Sequence, residues 1–291
     1  MAKKFYMGLI YAFLAVLLLS TIGTSFKFLV SNLDSFSVAI YTQLFATIAL
    51  FVYLLITDKT KRVITEFLKH PWFFVIAGII GLGIQQITYI KAFSLLPAAE
   101  VVIIFYMYPL LMVLLSSIIF RERTNPRAYI FILLGLIGVY TLISKGQNVS
   151  ISLNFGIIMV ILASLSWALF SVMIKHTTFD VEIGMFLFNL FGLVFLSLAI
   201  PFFGITNSMS QITFFGLIYM AVFPTALAFV FWNKCLHILS TSLCSSIALL
   251  IPLLSVLLIS LILKEQLGIS HVIGLFLITS SVLLSIIFRN N

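Results

Sequence analysis

Long apolar stretches separated by short polar segments dominate this chain. Most stretches are close to the roughly 20 residues that an α-helix needs to cross the hydrocarbon of a bilayer. Charged or turn-forming residues fill the breaks, as at positions 58–62, 121–127 and 206–210. The pattern therefore predicts ten transmembrane helices, at about 5–27, 35–57, 72–94, 97–120, 128–144, 155–175, 181–203, 212–234, 240–263 and 269–288.

Composition supports a membrane protein and argues against an enzyme. Apolar residues make up 63% of the chain and charged residues 8%, whereas soluble domains average about 45–50% and about 25%. Ten spans leave no length for a soluble catalytic or nucleotide-binding domain. The two cysteines and four histidines show no metal-binding or catalytic spacing, so we expect no cofactor and no metal. The prediction is an all-α membrane protein.

The lysines and arginines predict the orientation. With the N-terminus in the cytoplasm, twelve of the sixteen basic residues fall on the cytoplasmic side, as the positive-inside rule requires. Both termini are then cytoplasmic in the cell inner (plasma) membrane. The net charge of +8 reflects this bias and contact with anionic lipid, so it gives no reason to expect a nucleic-acid partner.

Matching residues recur along the chain at a nearly constant offset of 143–148 positions. The pairs are Pro109 and Pro252, Glu122 and Glu265, Gly8 and Gly156, Lys27 and Lys175, Gln43 and Asn189, and Lys91 and Lys234. The recurrence predicts two five-helix repeats, residues 1–147 and 148–291, within one integrated transmembrane domain. Because five is odd, the repeats would be inverted, which is a common transporter plan with a midplane site.

The repeated segments resemble those of a known family. The motifs are Pro109 with Arg121-Glu122-Arg123-Thr124, Pro252 with Lys264-Glu265-Gln266-Leu267, and Ser166-Trp167-Ala168. At these residues the chain resembles the ten-helix EamA-type branch of the drug/metabolite transporter superfamily. The resemblance implies export or exchange of small metabolites through a central cavity, with helices 5 and 10 peripheral. The chain departs from the family at Ile22-Gly23, where members often carry Trp-Gly, and at Gln43, where many carry arginine.

Polar and aromatic residues inside the predicted spans are candidates for substrate binding, because polar groups are costly in lipid. Gln85 and Tyr89 lie one turn apart on one face of helix 3. Gln43 and Asn189 are matched positions near the middle of helices 2 and 7, and Trp167 lies midway along helix 6. For the amides and Tyr89, the alternative role is hydrogen bonding between helices. For Trp167, the alternative is packing against helix 9.

Helix-breaking residues in matching positions are candidate hinges. Pro109 and Pro252 lie in helices 4 and 9, and Gly81 and Pro224 in helices 3 and 8. A proline inside a helix removes a backbone hydrogen bond and bends the helix. Matched breaks of this kind point to the binding region of a transporter, although a static kink is the alternative.

Glu100, near the outer end of helix 4, is the one carboxylate that we expect to lie in the membrane. It has two interpretations: a structural residue that complements the N-terminus of helix 4, or a gate or proton-coupling residue acting with Lys91.

These features predict a secondary transporter that moves a small neutral or zwitterionic metabolite by alternating access. An amino acid is the leading candidate, moved by export or exchange. The alternatives are a quaternary amine such as choline, held by aromatic faces, and a channel or scaffold subunit. The expected partners are the small-molecule substrate and the lipid bilayer, with the chain a monomer or a weak homodimer.

Overall fold

The computed structural model describes residues 2–96, 101, 104–144, 154–263 and 269–288. Within these residues every regular element is helical. The α-helices are α1 (Ala2–Leu19), α2 (Ile22–Val30), α3 (Ser35–Ile56), α4 (Val63–Lys69), α5 (Pro71–Gly78), α6 (Gln85–Leu95), α7 (Tyr108–Ile119), α8 (Pro126–Ser144), α9 (Phe155–Lys175), α10 (Val181–Ser197), α11 (Ile200–Phe203), α12 (Gln211–Met220), α13 (Ala228–Ile238), α14 (Thr241–Ala248), α15 (Leu250–Leu263) and α16 (Ile269–Ile287).

The apolar helices occupy the ten predicted transmembrane segments, which we number spans 1 to 10 in chain order. Several of these spans consist of two helices separated by a break. Within the described residues, five helices are long and apolar enough to cross a membrane: Lys3–Val30, Ser35–Ile56, Pro71–Ala92, Phe155–Lys175 and Gln211–Ile238. Five shorter apolar helices lie at the other five predicted positions. The count of long helices is lower than ten because helix breaks shorten some spans and parts of others lie outside the described residues.

Two π-helices interrupt spans 3 and 8 in matching positions. One covers Ile79–Ile84 between α5 and α6, and the other covers Ala221–Leu227 between α12 and α13. They contain Gly81 and Pro224, which are 143 positions apart. π-helical turns are rare and often occur at functional sites.

Spans 4 and 9 are each broken just before their proline. Turn residues 106–107 precede α7, and a turn at Leu249 separates α14 from α15. Pro109 and Pro252 consequently lie in the first turn of α7 and α15, where a missing N–H is tolerated. The prolines therefore begin new helices, whereas the sequence predicted bends within continuous ones.

The helices pack in pairs drawn from the two halves of the chain. Span 1 packs against span 8, span 3 against span 6, and span 2 against span 7, whereas α8 and α16 pack mainly against each other. Glycines allow the closest approaches. A Cβ on Gly78 would lie 2.8 Å from the Phe188 carbonyl oxygen of α10, so span 3 touches the backbone of span 7.

Candidate functional site

A pair of amides lies at the crossing of spans 2 and 7. Gln43 Nε2 donates to Asn189 Oδ1 at 2.9 Å and to the Asn189 carbonyl oxygen at 3.0 Å. Both residues are fully buried. The two matched positions that the sequence selected thus bond directly to each other. Whether they also bind substrate stays a prediction.

The amide pair continues into span 8 through Met185. Asn189 Nδ2 donates to the Met185 carbonyl oxygen at 2.7 Å, and Asn233 Nδ2 contacts Met185 Sδ at 2.8 Å. Gln43 Oε1 and Asn233 Oδ1 are buried and accept no hydrogen bond from any described residue. Buried acceptors of this kind usually have partners, so this core has capacity for N–H or O–H donors. Asn233 was not among the sequence-predicted site residues, although it lies next to Lys234, which is matched with Lys91.

Aromatic side chains surround the broken helices. Trp167 is buried, with its ring centroid 4.8 Å from that of Phe229 and 5.5 Å from that of Phe170. Trp167 therefore contacts span 8, whereas the sequence offered helix 9 as its packing partner. The Tyr89 ring lies 4.3 Å from that of Phe105, beside the break in span 4.

Gln85 is half-buried at the start of α6, directly after the first π-helix, and its carbonyl oxygen accepts a hydrogen bond from Thr88 Oγ1 at 3.1 Å. Of the predicted substrate residues, Gln43 and Asn189 are bonded to each other. The roles of Gln85, Tyr89 and Trp167 in binding stay predictions.

A serine from span 6 compensates for the proline in span 4. The Phe105 carbonyl oxygen lies just before the break at residues 106–107. Pro109, four residues later, has no N–H to donate to it. Ser164 Oγ donates to that oxygen at 3.0 Å. Ser164 was not among the sequence-predicted site residues. The sequence feature that could have indicated it is its position on helix 6, three residues before Trp167. The contact joins spans 4 and 6 at the helix break.

The predicted hinge residues are buried against neighbouring helices. Gly81 lies in the first π-helix, where a Cβ would clash with the Phe170 ring of span 6. Pro224 is buried inside the second π-helix. These contacts explain why a small residue is needed at position 81. The predicted hinge motion of Gly81, Pro109, Pro224 and Pro252 remains a prediction.

A network of ion pairs lies at the end of the bundle where span 2 ends and span 7 begins, which we call the inner end. Lys59 Nζ lies 2.9 Å from Asp180 Oδ2 and 3.1 Å from Glu182 Oε2. Lys234 Nζ lies 2.5 Å from Glu182 Oε1. Burial alone would lower the pKa of Lys59, but hydrogen bonds to both carboxylates raise it above its ordinary value.

A second contact at the inner end centres on Glu122, which follows α7. Its carboxylate accepts hydrogen bonds from Ser116 Oγ, from Thr241 Oγ1 at 2.6 Å and from Thr241 N at 3.3 Å. Lys175 Nζ lies 4.0 Å from Glu122 Oε1, and His176 Nε2 lies 3.7 Å from Glu122 Oε2.

The Glu122 carboxylate stays ionised in this environment. Burial alone would raise its pKa, but the hydrogen bonds from Ser116 and Thr241 and the charge of Lys175 hold it below its ordinary value. The contact is therefore present above the ordinary pKa of a glutamate and is lost as the pH falls through the lowered one.

The gate or coupling residues predicted from sequence are only partly placed. Glu100 lies outside the described residues, and Lys91 is exposed on α6. Among the described residues, Glu66 is the only charged residue that is fully buried, and it lies in the connecting helix α4. The buried polar residues described within the spans are therefore uncharged. In the described part of the chain no group of three or more His, Cys, Asp or Glu residues is placed to hold a metal ion.

Helices of this length and apolarity around an uncharged polar core define a multi-pass membrane protein. The chain belongs to the EamA-like transporter family, which matches residues 6–144 and again 154–287. It is therefore a membrane transporter of small molecules, not an enzyme, as the sequence predicted.

Individual relatives agree with this assignment. The chain is 24% identical over 250 residues to the uncharacterized transporter YoaV of Bacillus subtilis. The aligned region covers 82% of each chain. It is 37% identical over 76 residues to the aromatic amino acid exporter YddG of Ancylobacter novellus, 26% of each chain. A crystal structure of a protein 20% identical to this chain aligns with a TM-score of 0.84 over 99% of this chain and 98% of the other, which shows the same fold.

Proposed function

We propose that this protein is a secondary transporter that exports or exchanges a neutral or zwitterionic amino acid with a large apolar or aromatic side chain. The observation that carries the proposal is the uncharged core formed by Gln43, Asn189 and Asn233. A strongly anionic substrate would need a lysine or arginine at that depth, because an unpaired charge in a medium of low dielectric constant is costly.

The aromatic groups beside this core suit the side chain of such a substrate. The rings of Trp167 and Phe229 contact each other, as do those of Tyr89 and Phe105 beside the break in span 4. The Phe229 carbonyl oxygen accepts a hydrogen bond from Asn233 of the core. The orphan acceptors Gln43 Oε1 and Asn233 Oδ1 suit an ammonium group. The partial match to an aromatic amino acid exporter supports both the aromatic side chain and the direction of export.

We further propose alternating access between two inverted halves, residues 1–147 and 148–291. Three observations support it: the matched π-helices, the matched breaks before Pro109 and Pro252, and the family match that occurs once in each half. Discontinuous helices in corresponding positions are typical of transporters that alternate around a midplane site. In this proposal both termini and the inner end face the cytoplasm, as the basic residues predict.

Binding by the purified protein tests the substrate class. We expect L-phenylalanine to raise the melting temperature in detergent, with choline and glucose 6-phosphate giving no shift. Trp167→Leu should remove the shift, because it deletes the buried ring beside Phe229. Trp72→Leu is the matched control, since Trp72 is 75% exposed. Stabilisation by choline alone would favour the quaternary-amine alternative, and selective stabilisation by the phosphorylated sugar would overturn both.

A further inference from the structure

Contacts between the two halves differ in kind at the two ends of the bundle. At the inner end, Lys59 of the first half forms ion pairs with Asp180 and Glu182 of the second. At the opposite end the corresponding contacts are hydrogen bonds. Thr206 Oγ1 donates to Asp34 Oδ2 at 2.7 Å, and Thr206 N donates to Ser37 Oγ at 2.8 Å. Within the described residues, the ion pairs that join the halves all lie at the inner end.

The two ends can be compared directly because Asp34 and Asp180 are equivalent. Each is the N-cap of its span and accepts from the backbone N–H three residues later, and they lie 146 positions apart, as do Gln43 and Asn189. Asp180 faces Lys59 and Arg62, at 2.9 Å and 3.6 Å, whereas Asp34 faces a threonine hydroxyl. At these two equivalent positions, ion pairs join the halves at the inner end and hydrogen bonds join them at the outer end.

Glu122 adds a second bridge at the inner end. Glu122 follows the last helix of span 4 in the first half. Its carboxylate accepts hydrogen bonds from Thr241, the first residue of α14 in the second half. A carboxylate at a helix N-terminus is stabilised by the helix dipole and by unpaired backbone N–H groups. Lys175 contributes its charge to Glu122 and also donates to the Leu239 carbonyl oxygen at 2.6 Å. Span 4 is thus tied to the start of span 9 and to the end of span 6.

We propose that these two contacts form the inner gate of the transporter, with Lys59 and Glu122 as its positioning residues. The structure then represents a state closed on the inner side, and both contacts must break once in each transport cycle. This inference rests on the alternating access proposed above, but it does not depend on which substrate is carried.

The chain contains its own reporters for such a gate. Cys235 and Cys244 are fully buried, with their sulfur atoms 3.2 Å apart. Cys235 follows Lys234 of the ion-pair network, and Cys244 lies in α14, one turn after Thr241. Opening of the inner end should expose both thiols to solvent from that side only.

The test is the rate of alkylation of these cysteines by a membrane-impermeant maleimide in oriented vesicles. We expect Lys59→Met and Glu122→Gln to raise the rate about tenfold from the face that carries Lys59, as expected for loss of a partly buried ionic contact. Lys59→Arg, which keeps the charge, should react like the unmodified protein. Lys61→Met is the matched control, because Lys61 is 82% exposed and forms an ion pair with Asp58, which is also exposed.

Unchanged rates in both Lys59→Met and Glu122→Gln would overturn the gate. Equal acceleration from both faces, together with a lower melting temperature, would also overturn it, because that result indicates local unfolding. If Lys59→Met does not reach the membrane, Glu122→Gln, which preserves side-chain size, decides the question alone. None of these measurements requires substrate, so a failure of the gate is distinguishable from a failure of the proposed transport activity.

Discussion

Gly78→Val is expected to lower the free energy of unfolding more than any other substitution proposed for this protein. A Cβ at this position would lie 2.8 Å from the Phe188 carbonyl oxygen and 3.2 Å from the Phe188 Cα. Both atoms are backbone, so a rotamer change cannot relieve the clash, and spans 3 and 7 must separate. Overpacking of this kind costs about 3 kcal/mol when backbone has to move. The free energy of unfolding in mixed micelles measures it directly.

Gly23→Val is the matched control for this prediction. Gly23 is also helical, but no heavy atom lies within 4 Å of the position that its Cβ would take. The control should fold with a free energy of unfolding close to that of the unmodified protein. Equal stability of the Gly78 and Gly23 variants would contradict the close packing of spans 3 and 7.

Gln43→Leu is expected to reduce transport about tenfold, a barrier change of about 1.4 kcal/mol. The substitution removes the donor to Asn189 Oδ1 and leaves that buried oxygen without its partner from span 2. Stability should fall by about 1 kcal/mol, since hydrogen bonds between membrane helices contribute modestly. We expect the larger effect on transport because Gln43 and Asn189 join the two halves of the chain within the proposed binding region.

A double-mutant cycle separates the pair from its surroundings. Gln43→Leu combined with Asn189→Leu should cost less than the sum of the single changes, because the second substitution removes the oxygen that the first leaves unpaired. Thr47→Val is the control on the same helix, since the Thr47 hydroxyl donates to the Gln43 carbonyl oxygen within α3. Additive costs would show that the amides act independently.

Sequence periodicity was sufficient for the helical fold, because membrane spans are defined by length and apolarity alone. It also selected Gln43 and Asn189, since matched positions and polarity can be found without coordinates. Their bond to each other could not be predicted, because a helix pattern gives the face that a residue occupies but not the helix opposite it. The same limit applies to Ser164, because its partner, the Phe105 carbonyl oxygen, lies on another span.

The breaks in the helices were visible only in part. Gly81 and Pro224 indicated an interruption, but a π-helix depends on how spans 6 and 7 press against span 3. Pro109 was expected to bend a helix and instead lies at the start of one. Glu122 was selected from the sequence as a matched position with Glu265. Its contact with the N-terminus of α14 required the fold.

Counterflow in proteoliposomes tests the central claim most directly. Vesicles loaded with unlabelled L-phenylalanine and diluted into a trace of the labelled amino acid should accumulate label transiently, because a carrier that alternates between two faces exchanges substrate across the membrane. Loading with choline or glucose 6-phosphate should produce no accumulation. We expect this overshoot for the unmodified protein and a much slower accumulation of label in Gln43→Leu. Passive equilibration without overshoot, equal for loaded and empty vesicles, would contradict the account and indicate a channel.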